Sequence, residues 1–273
     1  PERLRDTPIS ERGFTALCTG AALAGARPVV DFMFLDFLLD AMGDIIHQTA
    51  TMQWMSAGRL KMPIVLRGCI GVLGSFAAHH SANFYSALVH IPGLRVVLPT
   101  TPYDAKGLLK TSIRCDDPVF FLEHRGLLNL KGQVPEEEYL IPFGQAAIAR
   151  EGNDVTLVAL AYMVPLALQA AQELAKEGVS VEVIDPRTLA PLDIDSILAS
   201  VHKTGRLIVV DEDFAPCGVA GEIAAQVQER AFDDLDAPIH RLNGVFSFAP
   251  YSRPLVETMT PNATTIAAAV RDL

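Results

Sequence analysis

Three groups of residues have the types to do chemistry. Glu11 stands in Asp6-Thr-Pro-Ile-Ser-Glu-Arg-Gly-Phe14, where a Pro-bearing turn runs into a stretch rich in small residues. Ser10 is a natural N-cap, and a carboxylate in a first helical turn sits well against the helix dipole, a role that needs no ligand. His79-His80-Ser81 follows glycines at 68, 71 and 74 and is placed at the start of a helix. A histidine titrates near neutrality and can move protons, or it can simply bond a backbone carbonyl. Ser81 beside His80 does not make a hydrolase, because helix neighbours do not face each other and no Gly-x-Ser-x-Gly elbow surrounds the serine. The third group, cysteines at 18, 69, 115 and 217, is too scattered for a Cys-x-x-Cys pair or a zinc site and reads as reduced thiols.

Other chemistries drop out on pattern or charge. The 68, 71, 74 glycine spacing is not Gly-x-Gly-x-x-Gly and leads into the His pair, so a dinucleotide fold is rejected, and there is no phosphate-loop lysine. The 273 residues carry 22 Lys and Arg against 32 Asp and Glu, a formal net charge of −10. An acidic chain without basic clusters is a poor partner for nucleic acid or anionic membranes. No apolar run reaches spanning length and no signal-type segment opens the chain, so a soluble protein inside the cell is expected.

These residues must be held by elements that alternate. A helix is expected over 14–24, a strand over 27–33, and a long helical pattern from Phe34 to about Met55. Strands follow at 63–67, 94–99 and 119–122, with a helix over 103–114 between the last two. The stretch 126–143, with Gly126, Gly132, Pro135, Glu136-Glu137-Glu138 and Pro142, is a polar connector. Beyond it come strands at 154–160, 179–184 and 206–210 and helices at about 164–177, 193–203 and 218–231. Such alternation gives an α/β protein with two doubly wound, mostly parallel sheets, divided as 1–125 and 144–273. A doubly wound domain normally begins with a strand, so the first domain is expected to be truncated or unseen at its amino end.

Read in order, Asp6-Thr-Pro-Ile-Ser-Glu11, Gly20-Ala-Ala-Leu-Ala-Gly25, Phe32-Met-Phe-Leu-Asp-Phe37, His80-Ser81, His90-Ile-Pro-Gly-Leu-Arg-Val-Val97, Ile141-Pro-Phe-Gly144 and Val183-Ile-Asp-Pro-Arg-Thr-Leu189 resemble the β subunit of thiamine-diphosphate-dependent 2-oxo acid dehydrogenases. The resemblance covers essentially the whole chain. It implies a pyrimidine-binding domain over 1–125, a connector over 126–143 and a transketolase carboxy-terminal-type domain over 144–273. It also implies a split site: an α subunit holds the diphosphate and Mg²⁺ with a Gly-Asp-Gly…Asn motif, of which this chain shows only Gly43-Asp44. The assembly implied is α₂β₂, with a second β subunit and a lipoyl-bearing acyltransferase core as further partners, in the cytoplasm or, in a eukaryote, the mitochondrial matrix.

On this resemblance Glu11 is the glutamate that shares a proton with N1′ of the aminopyrimidine, so that the exocyclic nitrogen can take the proton from thiazolium C2. Phe37 is the aromatic that stacks on the pyrimidine, where residue pattern alone would make it core beside Phe34. Ile9 and Met33 flank the same cofactor half. His80 is the channel histidine that assists proton transfer or acylation of the lipoyl group, and His79 the structural member of the pair. A monovalent cation, K⁺, is expected on backbone carbonyls of Ser112, Ile113, Cys115 and Asp117. The chain departs from the family pattern at Ala82, Gly43, Ala57 and Cys115. The acid run Asp233, Asp234 and Asp236 is either a solvated loop or a dock for a basic acyltransferase segment. The substrate expected is a small 2-oxo acid such as pyruvate, or acetoin. The alternatives are a split transketolase moving ketol units between sugars, and a non-catalytic scaffold subunit.

Overall fold

In the computed structural model residues 2–273 are described; Pro1, the first residue of the expected pyrimidine-binding domain, lies outside them. In chain order the first half runs α1 (Glu11–Leu23), β1 (Val29–Phe34), α2 (Met42–Asp44), α3 (Met52–Met55), β2 (Val65–Ile70), α4 (Tyr85–Val89), β3 (Arg95–Val97), α5 (Pro102–Arg114) and β4 (Val119–His124). The second half runs β5 (Ala147–Arg150), β6 (Val155–Ala159), α6 (Met163–Ala175), β7 (Val181–Asp185), β8 (Thr188–Ala190), α7 (Ile194–Thr204), β9 (Leu207–Phe214), α8 (Val219–Arg230), β10 (His240–Gly244), α9 (Arg253–Val256) and α10 (Ala263–Arg271).

Two five-stranded sheets result, ordered β1-β2-β4-β3-β8 and β10-β9-β6-β7-β5. All pairings are parallel except the two edges, β8 on β3 and β5 on β7. Central strands β6 and β7 are buried at every residue, so Thr156, Glu182 and Asp185 lie inside along with the apolar residues around them. Their buried polar groups are matched: Thr156 Oγ1 bonds Ser200 Oγ at 2.6 Å and Thr204 Oγ1 at 2.7 Å on α7. β8 comes from the second half of the chain yet closes the first sheet, with Val96 opposite Ala190. Three residues without an alternating pattern become a strand only because β3 is there to pair with them.

The stretch expected as one long helix is helical but uneven. Leu35–Ala41 is a 3₁₀ helix, α2 follows, and Ile45–Thr49 is a π turn before α3. Leu35, Leu38 and Ala41 are fully buried at a spacing of three, the period of a 3₁₀ helix, and Ile45 comes four residues later. Burial of that row tightens the first turns, and the π turn then releases the register. A second difference lies at His79-His80-Ser81. They sit in a turn, and α4 starts only at Tyr85, after Phe84 takes a left-handed φ of 49°.

Candidate active site

Glu11 is the first residue of α1, half-buried at the helix mouth. Among the described residues its carboxylate has no hydrogen-bond or ion-pair partner, and Ser10 makes no side-chain cap. The helix itself is fixed firmly. Phe14 meets Phe32 edge-on at 5.3 Å, Thr19 bonds Thr49 in the π turn at 2.8 Å, and Arg12 Nε donates to Asp44 at 2.9 Å. The carboxylate is therefore an unpartnered acceptor on a rigid mount, which suits a ligand bearing a proton donor.

The first half also keeps large apolar side chains uncovered. Ile9 is 95% exposed, Met33 67% and Phe37 37%. Met33 is also strained: at the end of β1 it adopts φ +60°, its amide donates to Asp31 Oδ1 at 2.8 Å, and the β1–β2 register slips between Asp31 and Phe34. A left-handed residue without glycine costs energy, and such outliers gather at functional sites. Phe37 lies on the 3₁₀ helix against which α1 packs. The apolar cofactor residues expected from sequence are thus each uncovered.

His80 joins the same group. Its ring stands edge-on to Phe34 at 4.7 Å and to Phe37 at 5.3 Å. His79 is exposed and no hydrogen bond ties it among the described residues, so the structural role expected for it has no visible basis. A cleft of about 1250 Å³ between the two halves reaches this loop through Ala78, Ser81 and Ala82 and continues to Glu212 and Phe248.

The expected cation carbonyls are differently placed. Arg27 Nη1 donates to the carbonyls of Ile113 at 3.2 Å and Cys115 at 2.8 Å, while its Nη2 meets Asp116 at 2.5 Å. Ser112 O accepts from the Cys115 amide, and the Asp117 carboxylate pairs with Arg95. No group of three His, Cys, Asp or Glu able to hold a metal occurs among the described residues. In the acid run, Asp234 faces His202 at 3.0 Å and the Asp236 amide bonds Gly205 O.

Sequence reasoning missed a polar seam between the halves. At the end of β9, Asp211-Glu212-Asp213 turn three carboxylates into it. Tyr85 donates its hydroxyl to Asp211, Ser86 to Asp213 at 3.0 Å, and His124 meets Glu212 at 2.9 Å. Three adjacent acids inside an otherwise apolar strand were the available signal, since buried carboxylates must find partners. Burial, helped by the charge of Asp213 and opposed by the Tyr85 hydrogen bond, pushes Asp211 up to about 7.

That shift has a sign. Asp211 prefers its proton more in the folded state than in the unfolded one. Its stabilising contribution is full below about pH 4 and lost as pH rises through about 7. Asp211→Asn mimics the protonated form and should keep the Tyr85 and Asp213 hydrogen bonds. At pH 8 the variant should melt on the order of 5 °C above wild type, and its melting temperature should fall less between pH 5 and 8. A thermal scan giving the variant a lower melting point at pH 8 with an unchanged slope would refute the assignment.

The chain matches two family descriptions: "Transketolase, pyrimidine binding domain" over residues 1–131 and "Transketolase, C-terminal domain" over 144–266. It is 46% identical, over 99% of its length and 80% of the relative's, to the acetoin:2,6-dichlorophenolindophenol oxidoreductase subunit beta of Cupriavidus necator. Identity is 44% to the Bacillus subtilis protein of the same name, with 99% and 79% covered. The pyruvate dehydrogenase E1 component subunit beta of Rickettsia felis is 45% identical, with 99% and 83% covered. Among solved structures, a split gene transketolase described as an inactive beta4 tetramer superposes with a TM-score of 0.82 over all of this chain and 84% of the other. At 22% identity that likeness speaks for the fold alone.

Proposed function

The chain belongs to the β subunits of thiamine-diphosphate-dependent acetoin and pyruvate dehydrogenases, and from that premise we propose that its exposed Glu11–Phe37–His80 face is the pyrimidine half of a shared active site. The proposed divisions are 1–125 for the pyrimidine-binding part, 126–143 for the connector and 144–273 for the carboxy-terminal part. The observation that carries the reading is the unpartnered Glu11 carboxylate on a fixed helix, with Ile9, Met33 and Phe37 left uncovered in the same half of the chain.

When bound, the cofactor supplies the electron sink that 2-oxo acid decarboxylation or acetoin cleavage needs. This chain's residues do the rest of the local work. Glu11 holds a proton at N1′ of the aminopyrimidine and so sets the tautomer of that ring. Phe37 presents its ring for stacking, and Ile9 and Met33 exclude water from the same side. His80 is placed to move a proton at the substrate or lipoyl end, its ring orientation set by Phe34 and Phe37. Diphosphate and Mg²⁺ are assigned to an α subunit, as the resemblance to these β subunits implies.

K⁺ at Ser112, Ile113, Cys115 and Asp117 does not fit the geometry. It would have to share the Ile113 and Cys115 carbonyls with the Arg27 guanidinium, so no role is derived for it. A positive charge at the C-terminal end of α5 is favourable, and Arg27 provides it.

The partners proposed are an α subunit in an α₂β₂ assembly, a second β subunit and a lipoyl acyltransferase core. The substrate proposed is acetoin or a small 2-oxo acid such as pyruvate. No helix among the described residues is long and apolar enough to cross a membrane. The cytoplasm, or the mitochondrial matrix in a eukaryote, is the compartment proposed. Co-assembled with its α-type partner, the protein should bind thiamine diphosphate and Mg²⁺ and turn over acetoin or pyruvate with a dye or lipoyl acceptor. Ketol transfer between sugar phosphates without 2-oxo acid or acetoin turnover would replace this function with that of a transketolase half.

A further inference from the structure

His80 sits in an irregular stretch between Gly71 and Phe84, yet its ring is held against two phenylalanines. Loops of this kind are mobile unless their backbone polar groups are tied down. Here two charged side chains from other elements do so. Asp36, on the 3₁₀ helix between Phe34 and Phe37, accepts at Oδ1 from the amides of Ser81 at 3.2 Å and Ala82 at 3.1 Å. Arg125, just past β4, donates from Nη2 to the carbonyls of Gly71 and His80. Its guanidinium lies 5.3 Å from the Phe34 ring and 4.7 Å from that of Phe76. The peptide group that joins His80 to Ser81 is therefore held at both ends by opposite charges: its carbonyl accepts from Arg125 and its amide donates to Asp36.

We propose that Asp36 and Arg125 act as a clamp on the 71–82 loop, making them positioning residues that fix where the His80 imidazole can deliver a proton. The inference rests on the role given to His80 above. Neither group is ordinary surface charge. Burial pushes the Asp36 carboxyl up against the pull of the Ala82 and Ser81 amides and of Arg125, and burial likewise lowers Arg125 against the charge of Asp36. Asp36 Oδ2 and Arg125 Nε and Nη1 are buried without partners, so both residues carry a desolvation cost. The loop order they impose is what that cost maintains. Phe34 links the parts, since it contacts the His80 ring, the Phe37 ring and the guanidinium together.

The test uses the chain assembled with its α-type partner and loaded with thiamine diphosphate. The first readout is hydrogen exchange at the Ser81 and Ala82 amides. It should quicken by about tenfold or more in Asp36→Ala and Arg125→Met. It should stay near wild type in Asp36→Asn, whose amide oxygen still accepts both bonds. The second readout is acyl transfer. Arg125→Met should lower kcat by about 10²-fold with little change in KM, as expected for a misplaced group rather than a lost binding contact. Arg125→Lys should recover part of the loss, because an ammonium can still reach both carbonyls. In a His80→Ala background, Arg125→Met should cost less than about twofold more. Unchanged exchange in Asp36→Ala and Arg125→Met overturns the clamp, whatever the activity does. Equal losses in both backgrounds overturn action through His80. Faster exchange in a complex whose wild type turns over no substrate supports the clamp and overturns the function proposed for the site.

Discussion

Glu11→Gln should lower turnover of acetoin or 2-oxo acid by about 10²- to 10⁴-fold, the usual worth of a positioned proton-transfer group. Assembly and thiamine diphosphate affinity should change little. The substitution keeps the size of the side chain and an oxygen that can accept a hydrogen bond. It removes only the ability to share a proton as a carboxylate. No packing contact should be lost with it, because the helix is held by Phe14, Thr19 and Arg12 and not by residue 11. The dipole contribution of a carboxylate in a first helical turn is about 0.3–1 kcal/mol, too small to unfold the subunit. The measurement is steady-state turnover of the α–β complex, with calorimetric cofactor binding and gel filtration as controls. If the variant keeps more than about a tenth of wild-type kcat with normal binding, Glu11 is only a helix-start charge.

The parts of the chain differ in how plainly their sequence marks their structure. The central strands β6, β7 and β9 announce themselves because burial on both faces favours largely apolar, β-branched residues such as Leu207-Ile-Val-Val210. The edge strands β8 and β10 do not. β10, His-Arg-Leu-Asn-Gly, is largely uncovered, and β8 is three residues completed by a partner nearly a hundred positions away. Neither carries a local pattern that could outweigh its turn-like composition. The helical stretch after Phe34 was legible as helical, but its 3₁₀ and π turns follow from which side chains the core accepts.

The site divides along the same line. Glu11, Phe37 and His80 stand in short ordered motifs, so they could be named from sequence, and the fold does bring Phe37 and His80 into ring contact. The groups that position them could not be named. Asp36 meets Ser81 across 45 residues within the first half, and His124 meets Glu212 across 88 between the two sheets, so each pair exists only after distant elements have packed. Arg27 shows the opposite failure. The cation expected at the end of α5 meets carbonyls that already accept from Arg27, a contact across 86 and 88 residues that no local motif announces.

His124→Ala should be the most destabilising single change in the seam. The imidazole is almost fully buried, stacked on Tyr162 with ring centroids 5.1 Å apart and an interplanar angle of 7°. Gly71, at φ +105°, passes so close that a Cβ there would fall 2.2 Å from His124 Nε2, so the ring and the glycine loop are fitted to each other. The Gly126 amide donates to Nδ1 at 3.0 Å, which leaves Nε2–H to donate to Glu212. Burial drives the Glu212 carboxyl upward, yet His124 and the hydrogen bonds from Val72 and Asn83 outweigh it and hold the group below the usual carboxylate range. Truncating the ring strands a buried carboxylate with two remaining donors and opens a cavity between the sheets. Breaking a buried pair in this way costs about 3–5 kcal/mol, which in a chain of this size lowers the melting temperature by on the order of 10 °C. The pH dependence has the opposite sign to that of Asp211. A depressed carboxylate stabilises above its unfolded value and loses that contribution as pH falls through its folded one. The gap between wild type and His124→Ala should therefore be widest near pH 7 and shrink below about pH 4. Melting curves that differ by less than about 2 °C at neutral pH would show that the seam is held elsewhere, with Tyr85 and Asp211 as the next pair to remove.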